Sequence, residues 1–240
     1  MRLVFLGTRG EIEARTPRHG RHTALLIRHA RRRVMIDCGA DWAEAVRDVR
    51  PHAIVLTHAH PDHAWGLKGG APCPVWATGA CWEGIADFPI DRREHVNPRE
   101  PFEVAGVRFE AFPVDHSLRA PAVGYRVAAP GGDFFYVPDV AWIPDRGAAL
   151  GGVRLYIGDG ATVTRSMVRR QDGKLFGHVP VRTQLTWCRK EGVPRAVFTH
   201  CGSEIVAAKD EDAVIVQIRE LAAARGVEAE VAYDGMTLEV

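Results

Sequence analysis

Cysteine is scarce in this chain. There are five, Cys38, Cys73, Cys81, Cys188 and Cys201, scattered and odd in number, with no C-x-x-C pair. That excludes a cysteine-built zinc ribbon and argues against a disulfide framework. Long apolar runs are also missing. None approaches the roughly 18 residues of a membrane-spanning helix, so no span is expected. The opening MRLVFLGTRG is too short in its apolar part for a secretory signal, and no small-residue cleavage site follows. A reduced, cytoplasmic protein with no membrane partner is the expectation. Net charge is nearly absent, with 31 Lys and Arg against 30 Asp and Glu, so no global field gathers polyanions. No repeat, low-complexity tract or long linker divides the sequence. The 240 residues, 46% of them hydrophobic, are therefore expected to form one domain over 1–240 with a sizeable core.

What charge there is lies unevenly. Residues 9 to 33 hold eight arginines against Glu11 and Glu13. Within that stretch, Arg15, Arg18, His19, Arg21 and His22 are candidates to contact a phosphate, because guanidinium matches phosphate oxygens in a fork. A solvated arginine face is the alternative.

Strand-like runs come first and alternation follows. The segments 2–7, 23–29, 32–39, 53–58, 74–78, 102–114, 154–159 and 195–200 read as strands, several of them continuous apolar runs typical of buried strands. Residues 123–139, with a Pro-Gly-Gly turn, read as a hairpin. Helical spacing appears at 41–49, with Pro51 closing it, and helices are expected at 180–191 and 210–225. The end, VEAEVAYDGMTLEV, reads as strand, turn and strand about Asp234-Gly235. Strands at both ends with helices between suggest two sheets packed face to face, helices outside.

The densest chemistry is THAHPDH, at 57–63, directly after the apolar run AIVL. His58 and His60 are two apart, so in extended backbone both point to one side and can share a metal. Pro61 redirects the chain, and Asp62 and His63 can face a second ion. Imidazole suits zinc, copper, iron or nickel, while carboxylate widens the choice to manganese. Three more donors each end an apolar run: His116 after FEAFPV, Asp139 after DFFYVP and His200 after RAVF. Strand ends are where sites in α/β sheets are built.

The seven residues THAHPDH resemble the H-x-H-x-D-H signature of the metallo-β-lactamase-fold hydrolases, and His116, Asp139 and His200 match that family's later metal motifs in order. The resemblance implies an α/β fold, an αββα four-layer sandwich of two mixed β-sheets with outer helices. It also implies two divalent ions, Zn2+ or Mn2+. His58, His60 and His116 would hold the first and Asp62, His63 and His200 the second, with Asp139 bridging. LGT near the start, DHS and GYRV at 115–127, YVPD at 136–139 and YDGM at 233–236 are similar to the phosphodiesterase branch, which includes ribonuclease Z and a cyclic phosphodiesterase of phosphonate use. Thioesterases of the glyoxalase II type carry a GHTPG-like third motif, where this chain has VDHSLRA.

Within that branch the protruding arm of ribonuclease Z has no room here, since His116 and Asp139 are 23 positions apart. Its P-x-K-x-R-N and H-E-A-T type motifs are missing as well. His178, in FGHVP, resembles the extra histidine of the small-substrate enzyme, whose cysteine-rich zinc loop is absent. The function implied is a two-metal hydrolase in which a water shared by both ions attacks a small cyclic or nucleotide-like phosphodiester. His178 would protonate the leaving oxygen, and Asp62 would orient it or the nucleophile. Asp159 could hold a ligand imidazole from behind. The alternatives are a nuclease on RNA or DNA, an ester or thioester hydrolase, and a non-catalytic metal- or nucleotide-binding protein. A second copy of the chain is a further candidate partner.

Overall fold

The apolar runs become strands of two sheets in the computed structural model, which describes residues 1–240. Six strands come first: β1 (Arg2–Gly7), β2 (Ala24–His29), β3 (Arg32–Ile36), β4 (Ala53–Val55), β5 (Val75–Thr78) and β6 (Arg93–Val96). Then follow β7 (Phe102–Val104), β8 (Val107–Val114), β9 (Ala122–Val127), β10 (Phe134–Tyr136) and β11 (Leu155–Asp159). The last five are β12 (Arg169–Gln171), β13 (Lys174–Phe176), β14 (Arg195–Thr199), β15 (Glu228–Val231) and β16 (Thr237–Glu239). One seven-stranded sheet runs β16-β1-β2-β3-β4-β5-β6, and the other runs β15-β14-β11-β10-β9-β8-β7. Both are mixed: β3 to β6 are parallel in the first, and β10, β11, β14 and β15 in the second. Strands β12 and β13 form a small separate hairpin.

Four layers follow from which face each residue presents. Between the sheets, Leu3, Phe5, Ile27 and Val55 meet Phe109, Tyr125, Tyr136 and Ile157. The outer face of the first sheet, with Leu26, Met35 and Ile54, is covered by Trp42, Val46 and Trp82 from its connecting segments. The outer face of the second, with Phe135, Tyr156 and Phe198, is covered by α5 (Val181–Glu191) and α7 (Glu211–Ala223), which bring Leu185, Cys188 and Ile218. Each such side chain contributes on the order of 1.5–3 kcal/mol by leaving water. All five cysteines are buried and free. No helix is long and apolar enough to cross a membrane.

Local chemistry sets the helix ends. Asp210 caps α7 by accepting from the Ala213 amide at 3.0 Å, and Gly192 takes the left-handed conformation that closes α5. The helix expected at 41–49 is instead a 3₁₀ turn, Ala40–Trp42, followed by one short turn, α1 (Val46–Val49). Its Asp41 carboxylate is engaged by Arg9, Arg15 and the His22 amide, which holds the segment against the preceding loop. The run 102–114 splits into the hairpin β7–β8, because Ala105 and Gly106 both take positive φ, 51° and 83°. The final strand–turn–strand is not a hairpin. Around Asp234-Gly235 the chain leaves the second sheet at β15 and enters the first at β16.

Candidate metal centre

The donors gather where strands of both sheets end. β4 runs into Leu56 and Thr57, and this exit is fixed from the opposite sheet: Tyr125 donates its hydroxyl to Leu56 O at 2.7 Å, and the Val123 amide donates to Thr57 O at 3.1 Å. His60 then stands at the start of the one-turn α2 (Pro61–Ala64) in extended backbone and without a side-chain cap, with Pro61 at the first helical position, where its fixed φ suits a helix start. This turn swings Asp62 and His63 away from His58 and His60. His116 follows β8, Asp139 follows β10 and His200 follows β14.

Two groups of donors result. His60 Nδ1 lies 3.0 Å from His58 Nε2 and 3.2 Å from His116 Nε2. Asp62 Oδ2 lies 3.0 Å from His200 Nε2 and 3.3 Å from His63 Nε2. Asp139 stands between them. Its Oδ2 is 2.6 Å from His63 Nε2 and 3.9 Å from His58 Nε2, and its Oδ1 is 3.4 Å from His200 and 3.8 Å from His116. These separations bracket the ~3.3 Å expected between donors around tetrahedral zinc with Zn–N of about 2.0–2.1 Å. The buried His63 Nε2 and Asp139 Oδ2 lack a hydrogen-bond partner despite their proximity, which suits a cation between them better than a shared proton. The donor set therefore fits two divalent ions. All seven residues expected from the sequence as ligands are brought together.

Electrostatics agree. Burial, then His63, push His58 well below the usual imidazole range, and burial holds His116 down at about 4, so both offer lone pairs. Burial alone would raise Asp62 and Asp139, but the neighbouring histidines hold both carboxyls well below their ordinary value. In return, burial is overcome at His200, where Asp139, Asp159 and Asp62 lift the imidazole to about 10. Two buried carboxylates thus demand positive charge at this point.

Behind the donors lie residues that aim them. Asp37 Oδ2 accepts from His63 Nδ1 at 2.9 Å, while Thr57 Oγ1 donates to Asp37 and faces His58 Nδ1 at 3.0 Å. Asp37 was not foreseen. Its only signal is an acid at the end of the strand-like run RRVMI, which a turn explains equally well. Asp159 Oδ2 accepts from His178 Nδ1 at 2.8 Å, and Gln184 fixes the Asp159 backbone from both sides. No hydrogen bond joins Asp62 to His178, so it is Asp159 that orients this imidazole, which leaves Asp62 only the other part expected of it, toward the nucleophile. Asp159 Oδ1 is also 3.7 Å from His200 Nδ1. Burial lowers His178, but the Asp159 carboxylate outweighs it and leaves the imidazole above its ordinary value. Ser117 is a turn residue, accepting from the Arg119 and Ala120 amides.

The centre opens into a cavity of about 430 Å³, whose wall includes His60, Asp139, His178, Glu11 and Arg165. None of Arg15, Arg18, His19, Arg21 and His22 is in that wall. Arg15 is spent on Gly20 O and Asp41, Arg18 on Glu211 and the Tyr233 ring, and Arg21 lies over Trp42. His22 is buried against Asp41, and His19 faces Thr8 and Glu211. Sequence alone shows an excess of cations but not the acids folded against them. The arginine that does line the cavity is Arg165.

Residues 32–201 match the beta-lactamase superfamily domain, so this chain belongs to that superfamily. Among curated relatives, Ribonuclease Z of Kineococcus radiotolerans is 30% identical over 189 residues, covering 64% of this chain and 58% of that protein. The chain thus spans little more than half the length of that relative. Two solved structures share the fold over this whole chain. The metallo-beta-lactamase fold protein YhfI from Bacillus subtilis superposes at TM-score 0.76 with 15% identity over 98% of its length. A diphosphatase from the PhnP family superposes at 0.74 with 20% identity over 97% of its length.

Proposed function

We propose that residues 1–240 act as one metal-dependent hydrolase domain that cleaves a small, nucleotide-like phosphodiester. One observation carries the reading: two donor groups share Asp139 beside a carboxylate-held imidazole, and His60, Asp62, His116, Asp139, His178 and His200 line one cavity. His58, His60 and His116 would hold one ion and Asp62, His63 and His200 the other, zinc by the weight of imidazole, with manganese as the alternative. Bound there, the ions would supply an ionised water and neutralise charge on the phosphate oxygens.

The protein's own groups do the rest. Thr57, Asp37 and Asp159 keep the imidazoles fixed, so little reorganisation is needed during reaction. The water oxygen bonds phosphorus as the bond to the leaving oxygen breaks. His178, held by Asp159 through Nδ1, gives its proton from Nε2 to that oxygen and is reprotonated from solvent. The five buried free thiols suit a reducing, cytoplasmic setting.

The test is turnover of bis(p-nitrophenyl) phosphate and cyclic nucleotides by zinc- or manganese-loaded protein. His60→Ala should lower kcat/KM at least about 100-fold. His178→Gln should cost about 10²–10⁴-fold on a cyclic nucleotide and far less on the p-nitrophenyl ester, whose leaving group needs no proton. Unchanged activity in His60→Ala overturns the reading. The identity to Ribonuclease Z favours one second reading, a nuclease on RNA. Cleavage of precursor tRNA at a defined 3′ position, without turnover of small diesters, would put it first.

A further inference from the structure

The sequence between Asp159 and His178 runs beside the centre, and Arg165 and Met167 from it line the cavity. It folds into the β12–β13 hairpin, and its base is stitched to the site. The Met167 amide donates to His178 O at 3.0 Å, and the Gly177 amide donates to His116 O at 2.7 Å. Gly177 sits at φ 98°, and a Cβ there would stand 2.3 Å from Met167 O, so only glycine allows the two arms to close. A second groove of about 520 Å³ lies under this hairpin, lined by Arg165, Met167, Val168, Arg169, Phe176 and His178. Arg165, Met167 and His178 also line the metal cavity, so the two spaces adjoin at these three residues.

Position gives the groove its meaning. A proton donor must stand beside the leaving oxygen, so the leaving group extends past His178, and the space past His178 is this groove. Its chemistry is twofold. Met167, exposed at 40%, and the half-buried Phe176 offer apolar surface, while Arg165 and Arg169 are exposed and have no carboxylate partner. An apolar face that can take a ring, next to unpaired guanidinium groups, matches a heterocyclic base with a phosphate attached. We propose that the groove under β12–β13 is the leaving-group subsite and holds a nucleotide, with Phe176 and Met167 against the base and Arg165 on its phosphate. This rests on the phosphodiesterase reading and names the substrate side that the hairpin selects.

Isothermal titration calorimetry on the zinc-loaded protein, with AMP, ribose 5-phosphate and inorganic phosphate as probes, tests it. AMP should bind about 10-fold tighter than ribose 5-phosphate, and Phe176→Ala should erase that difference. Arg165→Gln, at an exposed position that does not burden folding, should weaken AMP and ribose 5-phosphate alike by about 10-fold. Equal affinity of AMP and ribose 5-phosphate in the wild type overturns the proposal, as does a Phe176→Ala loss shared by all three probes. Turnover of bis(p-nitrophenyl) phosphate separates the two levels. If it proceeds while the base-dependent difference is missing, the subsite fails and the phosphodiesterase reading stands. If binding behaves as expected with no diester cleaved, the phosphodiesterase reading fails, and the assignment to a leaving group fails with it.

Discussion

Asp37 and Thr57 illustrate how much of a metal centre lies one residue behind its ligands. Asp37 sits fully buried at φ 64° and accepts from His63, whose ring it fixes. Asn tolerates the left-handed region and keeps the shape, so Asp37→Asn removes the charge and turns one of the two accepting oxygens into a donor that cannot receive the His63 N–H. Zinc affinity should fall about 10–100-fold in a competition titration against a chelating dye. Affinity equal to wild type would mean Asp37 does not steer His63. The donors were readable because His58, His116, Asp139 and His200 each end an apolar run, where a charged or imidazole side chain has no packing purpose, and because His60, Asp62 and His63 crowd the turn that follows His58. Asp37 and Arg165 were not readable. One looks like a turn acid and the other like any exposed arginine, and only the fold shows what each faces. The loop arginines misled for the converse reason, since Asp41 and Glu211, which occupy Arg15 and Arg18, are 26 and 193 positions away (41 − 15, 211 − 18).

Elements were legible where apolar patterning decides them and illegible where polar side chains do. The strand runs stand nearly as read, whereas the helix expected at 41–49 gave way to the Asp41 network. The join between β3 and α2 shows how closely elements meet at the centre. The Cys38 amide donates to His63 O at 2.6 Å, and a Cβ on Gly39 would lie 2.0 Å from Asp62 O. Gly39 has ordinary negative φ, so it is proximity and not backbone freedom that excludes a side chain. Gly39→Ala should push α2 aside, cost about 1–3 kcal/mol in a urea unfolding titration, and lower bound zinc below two ions per chain by mass spectrometry. Full zinc content with unaltered unfolding would show that α2 tolerates the shift.

At the scale of the molecule, the end of β1 ties both sheets beside the centre. The Arg9 amide donates to Arg21 O, the Gly10 amide to Cys201 O and the Cys201 amide to Thr8 O. Buried in this knot, His22 accepts from the Asp41 amide through Nδ1 and faces Arg9, Asp41 and Glu11. Burial, reinforced by Arg9, pulls its pKa from 6.5 to about 4. A histidine lowered in the fold favours the native state above its unfolded pKa and loses that advantage as acid protonates the unfolded chain first. Wild type should therefore lose up to about 3 kcal/mol relative to His22→Gln between pH 6.5 and pH 4, measured by urea unfolding in chelator. Parallel stability profiles would contradict it. The donors come from both sheets, and this has a consequence for biogenesis. A ribosome delivers His58, His60, Asp62 and His63 long before Asp139 and His200, so the nascent chain exposes half a chelate for most of its synthesis. Metal loading would then be a closing act, completed only when β14 docks, and stalled or truncated chains would offer a divalent ion an incomplete, loose grip.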